Sequence, residues 1–252
     1  MKKFITMLAL SLTVFGALNA YSVYAETAGG AQEQKIIKEY KANVSGDERE
    51  EDIILSGTKG SDTPFYENIK ITVSEQKTGK TLYTITPTVN YGYDPDLLIA
   101  DFTGNGVNEI FYGATSGGSG GFGYFYLYGT DGAVKTLFDF QTAISPYTAK
   151  YENFYKVKVA GGKKVFIIDI SLRGKDYLDK LYKNGRLIKK TSADISAVNY
   201  VVPQFNSSTG VFSLNVIRRI TGLYSADLLG YLNEEYNFTP ENAGGGRYSV
   251  TI

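Results

Sequence analysis

The sequence predicts an all-β protein whose antiparallel strands follow one another as a meander and form propeller-like blades, arranged as an incomplete propeller. The chain is a succession of short runs rich in β-branched and aromatic residues, and turn residues separate the runs. It contains 21 Tyr and 28 Gly but only 6 Pro, a composition suited to twisted strands joined by tight turns. No long stretch has the spacing of apolar residues that an amphipathic helix requires.

The strand-like runs can be placed in order along the chain. They occupy 36–42, 52–58, 68–75, 81–89, 96–100, 109–115, 122–129, 133–140, 153–160, 163–171, 211–220, 228–238 and 247–252. Three pairs of successive runs are separated by short turns and predict β-hairpins, of which 68–75 with 81–89 is the first. Asn184-Gly185 favours a further hairpin with a type I′ turn. The preceding segment, 176–182, fits either a helical turn or a strand.

Residues 1–25 have the features of a cleavable secretion signal. Lys2 and Lys3 supply a positive start, 4–18 is an uncharged apolar run, and Ala25 ends a stretch acceptable to a signal peptidase. The apolar run is shorter than the roughly 20 residues that a membrane-spanning helix needs. We therefore expect a secreted protein, extracellular or at the cell surface, with no transmembrane segment after cleavage.

The remaining chain predicts a short flexible lead-in at 26–34 and a single β domain at 35–252. The full chain has 26 basic and 26 acidic residues, which argues against nucleic acid as the main partner. It contains no Cys and no His, so thiolate nucleophiles, Ser-His-Asp triads and His-based metal sites are excluded. No catalytic residue and no organic cofactor site is predicted, and we expect a non-enzymatic protein.

Two polar loops repeat at a distance of 58 residues, at 43–47 and 101–105. Each follows an apolar strand and leads through an acidic residue, Glu51 or Glu109, into another strand. A weaker third copy at 204–214 has one extra residue and no carboxylate. Repeats of this size indicate successive blades of antiparallel sheet.

The second loop has the spacing of a calcium loop, D-x-T-x-N-G-x-x-E. Ca²⁺ takes 6–8 oxygen ligands, and alternate residues of a tightly wound loop direct their oxygens inward. Gly106 permits the turn that closes the loop. The predicted ligands are the side chains of Asp101, Thr103, Asn105 and Glu109 and the carbonyl of Val107. An ordinary strand-to-strand turn is the competing interpretation.

The first loop is a poorer match to the same pattern. Its corresponding ligands are Asn43, Ser45, Asp47 and Glu51. Asn43 replaces the leading Asp, Glu48 stands where Gly is expected, and Arg49 adds a positive charge. The sequence thus predicts one Ca²⁺ site at 101–109 and makes a second at 43–51 doubtful.

The segment 98–128 resembles the FG-GAP/VCBS repeat of integrin-α-like β-propellers, and is most similar to small secreted VCBS-repeat proteins of Gram-positive bacteria. The segment 41–59 resembles a diverged first copy. The likeness is looser over most of 36–240. The resemblance implies a propeller-like fold, calcium in the repeat loops, and a binding role at a surface.

Three functions follow as hypotheses. The first is a non-enzymatic binding, adhesion or envelope-associated module whose partner is an extracellular macromolecule or a component of the cell envelope. The second is a secreted polysaccharide hydrolase that uses two carboxylates, for which Asp94, Asp96 and Asp101 are the clustered acids. The third is a structural component of the envelope or spore surface.

Two further patterns have competing interpretations. Tyr124, Tyr126 and Tyr128 share one strand face, which favours packing between sheets over a platform for a carbohydrate or peptide. The lysines of the 153–171 hairpin predict a solvated rim, and contact with anionic wall polymers is the functional alternative. That rim consists of Lys156, Lys158, Lys163 and Lys164.

Overall fold

The computed structural model describes residues 33–118, 120–162, 164–240 and 244–252. The predicted secretion signal and most of the predicted lead-in lie outside these residues. Residues 32–252 form one compact unit. The described chain consists of antiparallel β-strands and one helical turn, which confirms the predicted all-β fold with blade-like meanders. None of the helices in the described ranges has the length and apolar character needed to cross a bilayer.

The N-terminal half contains two four-stranded antiparallel meanders, which we call the first and second blade. The first blade consists of β1 (Lys35–Ala42), β2 (Glu51–Lys59), β3 (Phe65–Glu75) and β4 (Thr81–Ile85). The second consists of β5 (Gly92–Ala100), β6 (Glu109–Thr115), β7 (Gly123–Gly129) and β8 (Lys135–Asp139). A short pairing of Phe65 and Tyr66 with Tyr93 and Gly92 joins the two blades into one sheet.

The C-terminal half forms a second sheet. Its strands are β9 (Thr148–Glu152), β10 (Lys156–Gly161), β11 (Lys164–Asp169), β14 (Ser192–Ile195), β15 (Tyr200–Asn206), β16 (Val211–Thr221), β17 (Leu228–Asn237) and β18 (Gly244–Thr251). They pair in the order β11-β10-β9-β14-β16-β17-β18, with β15 paired to β16. Strands β11 and β18 at its two ends approach each other. Tyr147 lies between them, with its ring 6.0 Å from that of Phe166 and 4.6 Å from that of Tyr248.

The connection between β11 and β14 contains the helical turn α1 (Lys175–Leu178) and a small hairpin, β12 (Tyr182–Lys183) with β13 (Arg186–Leu187). Both turn residues have positive φ, 50° at Asn184 and 75° at Gly185, as a type I′ turn requires. The segment 176–182 therefore begins in a helical turn and ends in a strand, so each of its two interpretations holds for part of it.

Alternation along the strands creates the core. In β3, Ile69, Ile71 and Val73 are fully buried while Lys70 between them is exposed, as the two-residue period of a strand dictates. Three apolar clusters result: one inside the N-terminal blades, one inside the C-terminal sheet and one that joins the two halves. In the joining cluster, Phe102 and Leu127 are buried together with residues of β15 and β16 such as Leu214.

The tyrosines of β7 serve packing. Tyr126 and Tyr128 are buried in the N-terminal core, with their rings stacked at a centroid distance of 5.8 Å. Tyr124 is partly buried and meets Tyr91 edge to face. The packing interpretation of this tyrosine row is therefore confirmed.

Candidate functional site

The loop between β5 and β6 is closed by a buried carboxylate. Glu109, 4% exposed, accepts hydrogen bonds from the backbone N–H of Phe102 at 2.7 Å and of Thr103 at 3.2 Å. Its other oxygen accepts a bond from the Thr103 hydroxyl at 3.0 Å. The side chain at the start of β6 thereby ties down the end of β5.

The loop between β1 and β2 is closed in the same way. Glu51, 2% exposed, accepts bonds from the N–H groups of Val44 at 2.9 Å and Ser45 at 3.2 Å, and from the Ser45 hydroxyl at 2.9 Å. Each bond has its counterpart 58 residues later in the chain. The sequence repeat is therefore a repeat of hydrogen bonds as well as of residue types.

The two repeated loops lie against each other. The backbone N–H and the side-chain amide of Asn108 both donate to the carbonyl of Asn43, at 3.1 and 3.0 Å. The hydroxyl of Thr130, which follows β7, donates to the carbonyl of Val44 at 2.6 Å. The structure therefore brings both predicted metal loops to one end of the blades.

The third copy joins the same end of the molecule. The N–H of Phe212, at the start of β16, donates to the carbonyl of Asp101 at 2.9 Å. Within this copy, the side-chain oxygen of Asn206 accepts bonds from the N–H and hydroxyl of Ser208. This turn holds its shape without a carboxylate.

The leading residues of the two N-terminal loops differ in how many donors they receive. The two carboxylate oxygens of Asp101 accept bonds from the N–H groups of Gly104 at 2.6 Å and Gly106 at 2.9 Å. Asn43 has a single side-chain oxygen, which accepts one bond from the N–H of Gly46 at 3.0 Å. The amide side chain therefore supports one loop amide where the carboxylate supports two.

The fifth residue of each loop turns its side chain back on the loop. Asn105 accepts a bond from the N–H of Val107 at 2.8 Å. Asp47 accepts the corresponding bond from Arg49 at 3.0 Å and also pairs with its guanidinium. This guanidinium and the backbone bond lower the pKa of Asp47. In the first loop the predicted ligand Asp47 is therefore committed to Arg49.

The predicted metal ligands of the 101–109 loop fall into two groups, one buried and one more accessible. Both oxygens of Glu109 are directed at loop donors, and burial raises the pKa of this carboxyl against the lowering effect of those hydrogen bonds. Asp101 and Asn105 lie on the more open side of the loop, as does the carbonyl-bearing residue Val107. Among the described residues, no three His, Cys, Asp or Glu side chains are grouped as metal ligands. The carboxylate of Asp101 and the amide oxygen of Asn105 are therefore the more accessible side-chain oxygens of the predicted ligand set, and both also accept hydrogen bonds from loop N–H groups.

A second candidate site is a cleft of about 690 Å³ between the second blade and β15. Its lining is mainly aromatic and aliphatic and includes two carboxylates. The lining includes Leu98, Phe111, Phe125, Tyr200, Pro203, Asp94 and Asp96. Tyr200 is 48% exposed, and its ring meets that of Phe125 edge to face at a centroid distance of 5.5 Å. We call this feature the aromatic cleft.

The carboxylates of the aromatic cleft have different surroundings. Asp96 forms an ion pair with Lys38 and accepts a hydrogen bond from the Tyr40 hydroxyl at 2.5 Å. Burial opposes ionisation of Asp96, but these two partners outweigh it and lower the pKa. Asp94 is exposed and has a positive φ of 46°, at a point where the pairing of β5 with β6 shifts register. Asp101, the third acid of the sequence cluster, belongs to the loop and does not line the cleft.

Sequence reasoning identified the carboxylates of this cleft but missed its far wall. Tyr200 and Pro203 are about a hundred residues away from Asp96 along the chain, and no local pattern connects them. The pairing of β15 with β16, together with the apolar cluster that joins the two halves, brings them opposite Phe111 and Phe125.

Comparison with known proteins gives a match to one family model and a similarity to one curated relative. Residues 145–243 match the family model described as "YybI C-terminal domain", a range that runs from β9 through β17. The chain is also similar to "Uncharacterized protein YybI" of Bacillus subtilis (strain 168), with 26% identity over 223 residues. That alignment covers 86% of this chain and 85% of the relative, so it extends beyond the C-terminal half. No solved structure matches the chain.

Proposed function

We propose that this protein is an exported, non-enzymatic binding module, associated with the cell envelope or surface, that holds a segment of neutral glycan in the aromatic cleft. The observation that carries the proposal is the aromatic cleft itself. Its volume of about 690 Å³ falls within the range of about 300–1,000 Å³ that is usual for ligand pockets. Its mainly apolar lining with a few polar groups is also typical of such pockets.

The lining supports a sugar as the ligand. The ring of Tyr200, which is 48% exposed, offers a flat aromatic face that covers the C–H face of a sugar ring and buries apolar area. The carboxylates of Asp94 and Asp96 accept hydrogen bonds from sugar hydroxyls, which fixes the orientation of the ring. Because Asp96 is held in place by Lys38 and Tyr40, it is organised before the ligand arrives.

The pKa of Asp96 argues against this residue as the general acid of a hydrolase. A glycosidase needs a carboxyl whose pKa is raised, so that it remains protonated and acts as the general acid. In Asp96 the pKa is instead lowered by Lys38 and Tyr40. Polysaccharide hydrolysis is the second candidate function, because Asp94 and Asp96 line the same cleft.

The proposal includes the features inferred from the sequence resemblance. The first and second blades correspond to two FG-GAP/VCBS-like copies, and the 101–109 loop binds one weakly held calcium ion through Asp101 and Asn105. Glu109 does not contact the ion directly. Its hydrogen bonds to the N–H groups of Phe102 and Thr103 hold the loop backbone in the shape that surrounds the ion. Export, which rests on residues 1–25, supplies millimolar external calcium.

The test of the cleft is binding of the purified protein to an array of neutral and charged envelope glycans, followed by calorimetry on the best ligand. We expect Tyr200→Ala to weaken binding at least tenfold, because it removes one aromatic wall of the cleft. Tyr224→Ala is the matched control, since Tyr224 is an exposed tyrosine in the 222–227 turn and does not line the cleft. Equal binding by wild type and Tyr200→Ala would exclude the cleft as the site.

The same glycans separate binding from hydrolysis. Incubation with the best ligand should release no new reducing ends. Turnover that is lost in Asp94→Asn or Asp96→Asn would instead establish the hydrolase function and overturn the non-enzymatic proposal.

A further inference from the structure

The balanced net charge of the chain conceals two parts of opposite charge. Residues 33–144, which contain both N-terminal blades, carry nine basic and sixteen acidic side chains. Residues 145–195, which contain β9 to β14, carry twelve basic and five acidic side chains. This second segment is therefore a strongly basic part of the chain, in contrast to the acidic N-terminal part.

Strand register places lysines opposite each other on the outer face of the C-terminal sheet. Lys150 of β9 pairs directly with Lys158 of β10. On either side of this pair lie Ser192 of β14 and Ile167 of β11. All four side chains are exposed, so they form one row across four strands, which we call the lysine row.

The two charges in the lysine row are not neutralised by the protein. Side chains directly opposite each other in an antiparallel pair have Cβ atoms about 4.5–5.5 Å apart, and like charges in that arrangement destabilise the sheet. Within the described ranges, neither Lys150 nor Lys158 has a carboxylate oxygen within 4.0 Å.

The neighbouring row of the same face is organised differently. There Lys156 lies between Glu152 and Asp169 in the strand register, and it forms an ion pair with Asp169. In one row across these three strands, acidic side chains neutralise the lysine, and in the next row the lysines stay unneutralised. An external anion would relieve the repulsion between Lys150 and Lys158 that the protein itself leaves in place.

Apolar side chains stand beside the lysine row. Ile167 is 54% exposed at its end, and Val165, two residues earlier on the same face of β11, is 55% exposed. Neighbouring strands lie about 4.8 Å apart, so the four strands of the lysine row span about 14 Å. A linear anionic polymer covers this length, whereas a single small anion reaches only the two lysines.

We infer that the lysine row binds a linear polyanion that carries repeated phosphate groups. The basic side chains of the row are lysines, and the lysine ammonium contacts phosphate oxygens as a point charge without a fixed geometry. Recognition of single planar carboxylates by paired hydrogen bonds is instead the property of arginine. The net negative charge of the segment 33–144 repels the same polymer and confines it to the C-terminal sheet.

The probe for this site is linear inorganic polyphosphate, whose affinity for the purified protein is measured by calorimetry at 50 and 300 mM salt. We expect Lys150→Glu combined with Lys158→Glu to weaken binding at least tenfold at 50 mM salt. The matched control is Lys70→Glu combined with Lys135→Glu, which makes the same change in net charge at exposed strand positions of the acidic part. This control should change the affinity less than twofold.

A folding defect in the charge-reversal variant is distinguished by the neutral pair Lys150→Gln and Lys158→Gln. Removal of the repulsion should keep or raise its melting temperature, while its affinity for polyphosphate still falls. Wild-type affinity that drops at 300 mM salt supports an electrostatic site, because exposed charges are screened there. Tyr200→Ala should leave polyphosphate binding unchanged, so this inference and the glycan proposal fail or succeed separately.

Three outcomes would overturn the inference. Equal loss of affinity in the control pair would mean that net charge alone governs binding. Polyglutamate of matched length that binds as tightly as polyphosphate would exclude phosphate recognition. Sedimentation that shows a dimer dissociated by the Lys150 and Lys158 reversals would identify the acidic part of a second copy as the occupant.

Discussion

The loop at 43–51 and the loop at 101–109 occupy corresponding places in the two successive N-terminal blades. Each is closed by a buried glutamate that accepts two backbone N–H groups and one hydroxyl. Their more accessible residues differ: Asn43 corresponds to Asp101, and Glu48 corresponds to Gly106. The two loops share the buried glutamate and its hydrogen bonds, which hold the strands together. The residues that a ligand would contact differ between them.

The difference separates folding from binding within one motif. Glu51 and Glu109 satisfy loop amides that would otherwise be buried without acceptors, so these two loops depend on them in order to fold. Asp101 adds an acceptor for a second amide and a negative charge, whereas Asn43 adds neither. Variants that exchange these features between the loops test the distinction.

The largest effect should come from the closing glutamates. Glu51→Ala and Glu109→Ala each leave buried N–H donors without acceptors, which costs about 1–3 kcal/mol for each unsatisfied group. We expect each variant to lose about 3 kcal/mol of unfolding free energy, and the two losses to agree within about 1 kcal/mol. Urea unfolding provides the measurement. Two losses that differ by more than this would mean that the loops are not equivalent in folding.

The second largest effect should be an increase in stability when calcium is added, and this increase should depend on the 101–109 loop alone. If the 101–109 loop binds with a Kd of about 1 mM, 10 mM calcium adds about 1.4 kcal/mol of stability. For a domain of this length, the melting temperature should rise by about 3–6 °C. Asp101→Asn should abolish the shift, and Asp62→Asn, at an exposed turn of the first blade, should retain it. Calorimetry without heat up to 10 mM calcium would rule the ion out.

Backbone strain at the sixth position of the two loops predicts a matched pair of substitutions that change stability in opposite directions. Glu48 and Gly106 both have positive φ, 64° and 82°, which costs a non-glycine residue about 1–2 kcal/mol. A Cβ at Gly106 would meet no heavy atom within 4 Å, so Gly106→Ala introduces backbone strain alone. We expect Gly106→Ala to destabilise and Glu48→Gly to stabilise the protein, each by about 1 kcal/mol. Thermal unfolding of both variants checks the pair, and two changes of the same sign would refute this account.

The strand pattern and the hairpins could be predicted because they depend on neighbouring residues. The predicted run 109–115 coincides with β6, and the type I′ turn follows from Asn184-Gly185. The strands β9, β14 and β15 were missed. In β15 the cause is Pro203, which argues against a strand interior; the strand tolerates it because it pairs with β16 alone in its sheet.

The candidate sites also contain local features that the sequence predicts and long-range features that it does not. The loop residues were found from their spacing, but the hydrogen bonds that give Glu109 its closing role depend on how the chain turns at Phe102 and Thr103. The aromatic cleft and the lysine row depend on strand register and on packing between segments far apart in sequence. Lys150 and Lys158 become neighbours only once β9 and β10 pair, and the missing prediction of β9 concealed that pair.

The smallest expected effect is a pH dependence that comes from Glu109 of the second loop. Burial raises the pKa of Glu109 above its ordinary value of 4.5, and the negative charge of Asp101 adds to the shift, although the loop hydrogen bonds oppose both. Between the ordinary pKa and the raised pKa, the folded protein holds a proton that the unfolded chain has lost. The contribution of Glu109 to stability is therefore fully present below pH 4.5 and declines as the pH rises through the folded-state pKa.

Urea unfolding from pH 4 to pH 8 measures this decline as the stability of the wild type minus that of Glu109→Gln, which cannot titrate at this position. The difference should become less favourable to the wild type with rising pH. In an Asp101→Asn background the decline should be smaller, because the second loop then has the uncharged leading residue of the first. A difference that grows with pH would mean that the hydrogen bonds from Phe102 and Thr103 outweigh burial, and that Glu109 prefers its ionised form in the folded loop.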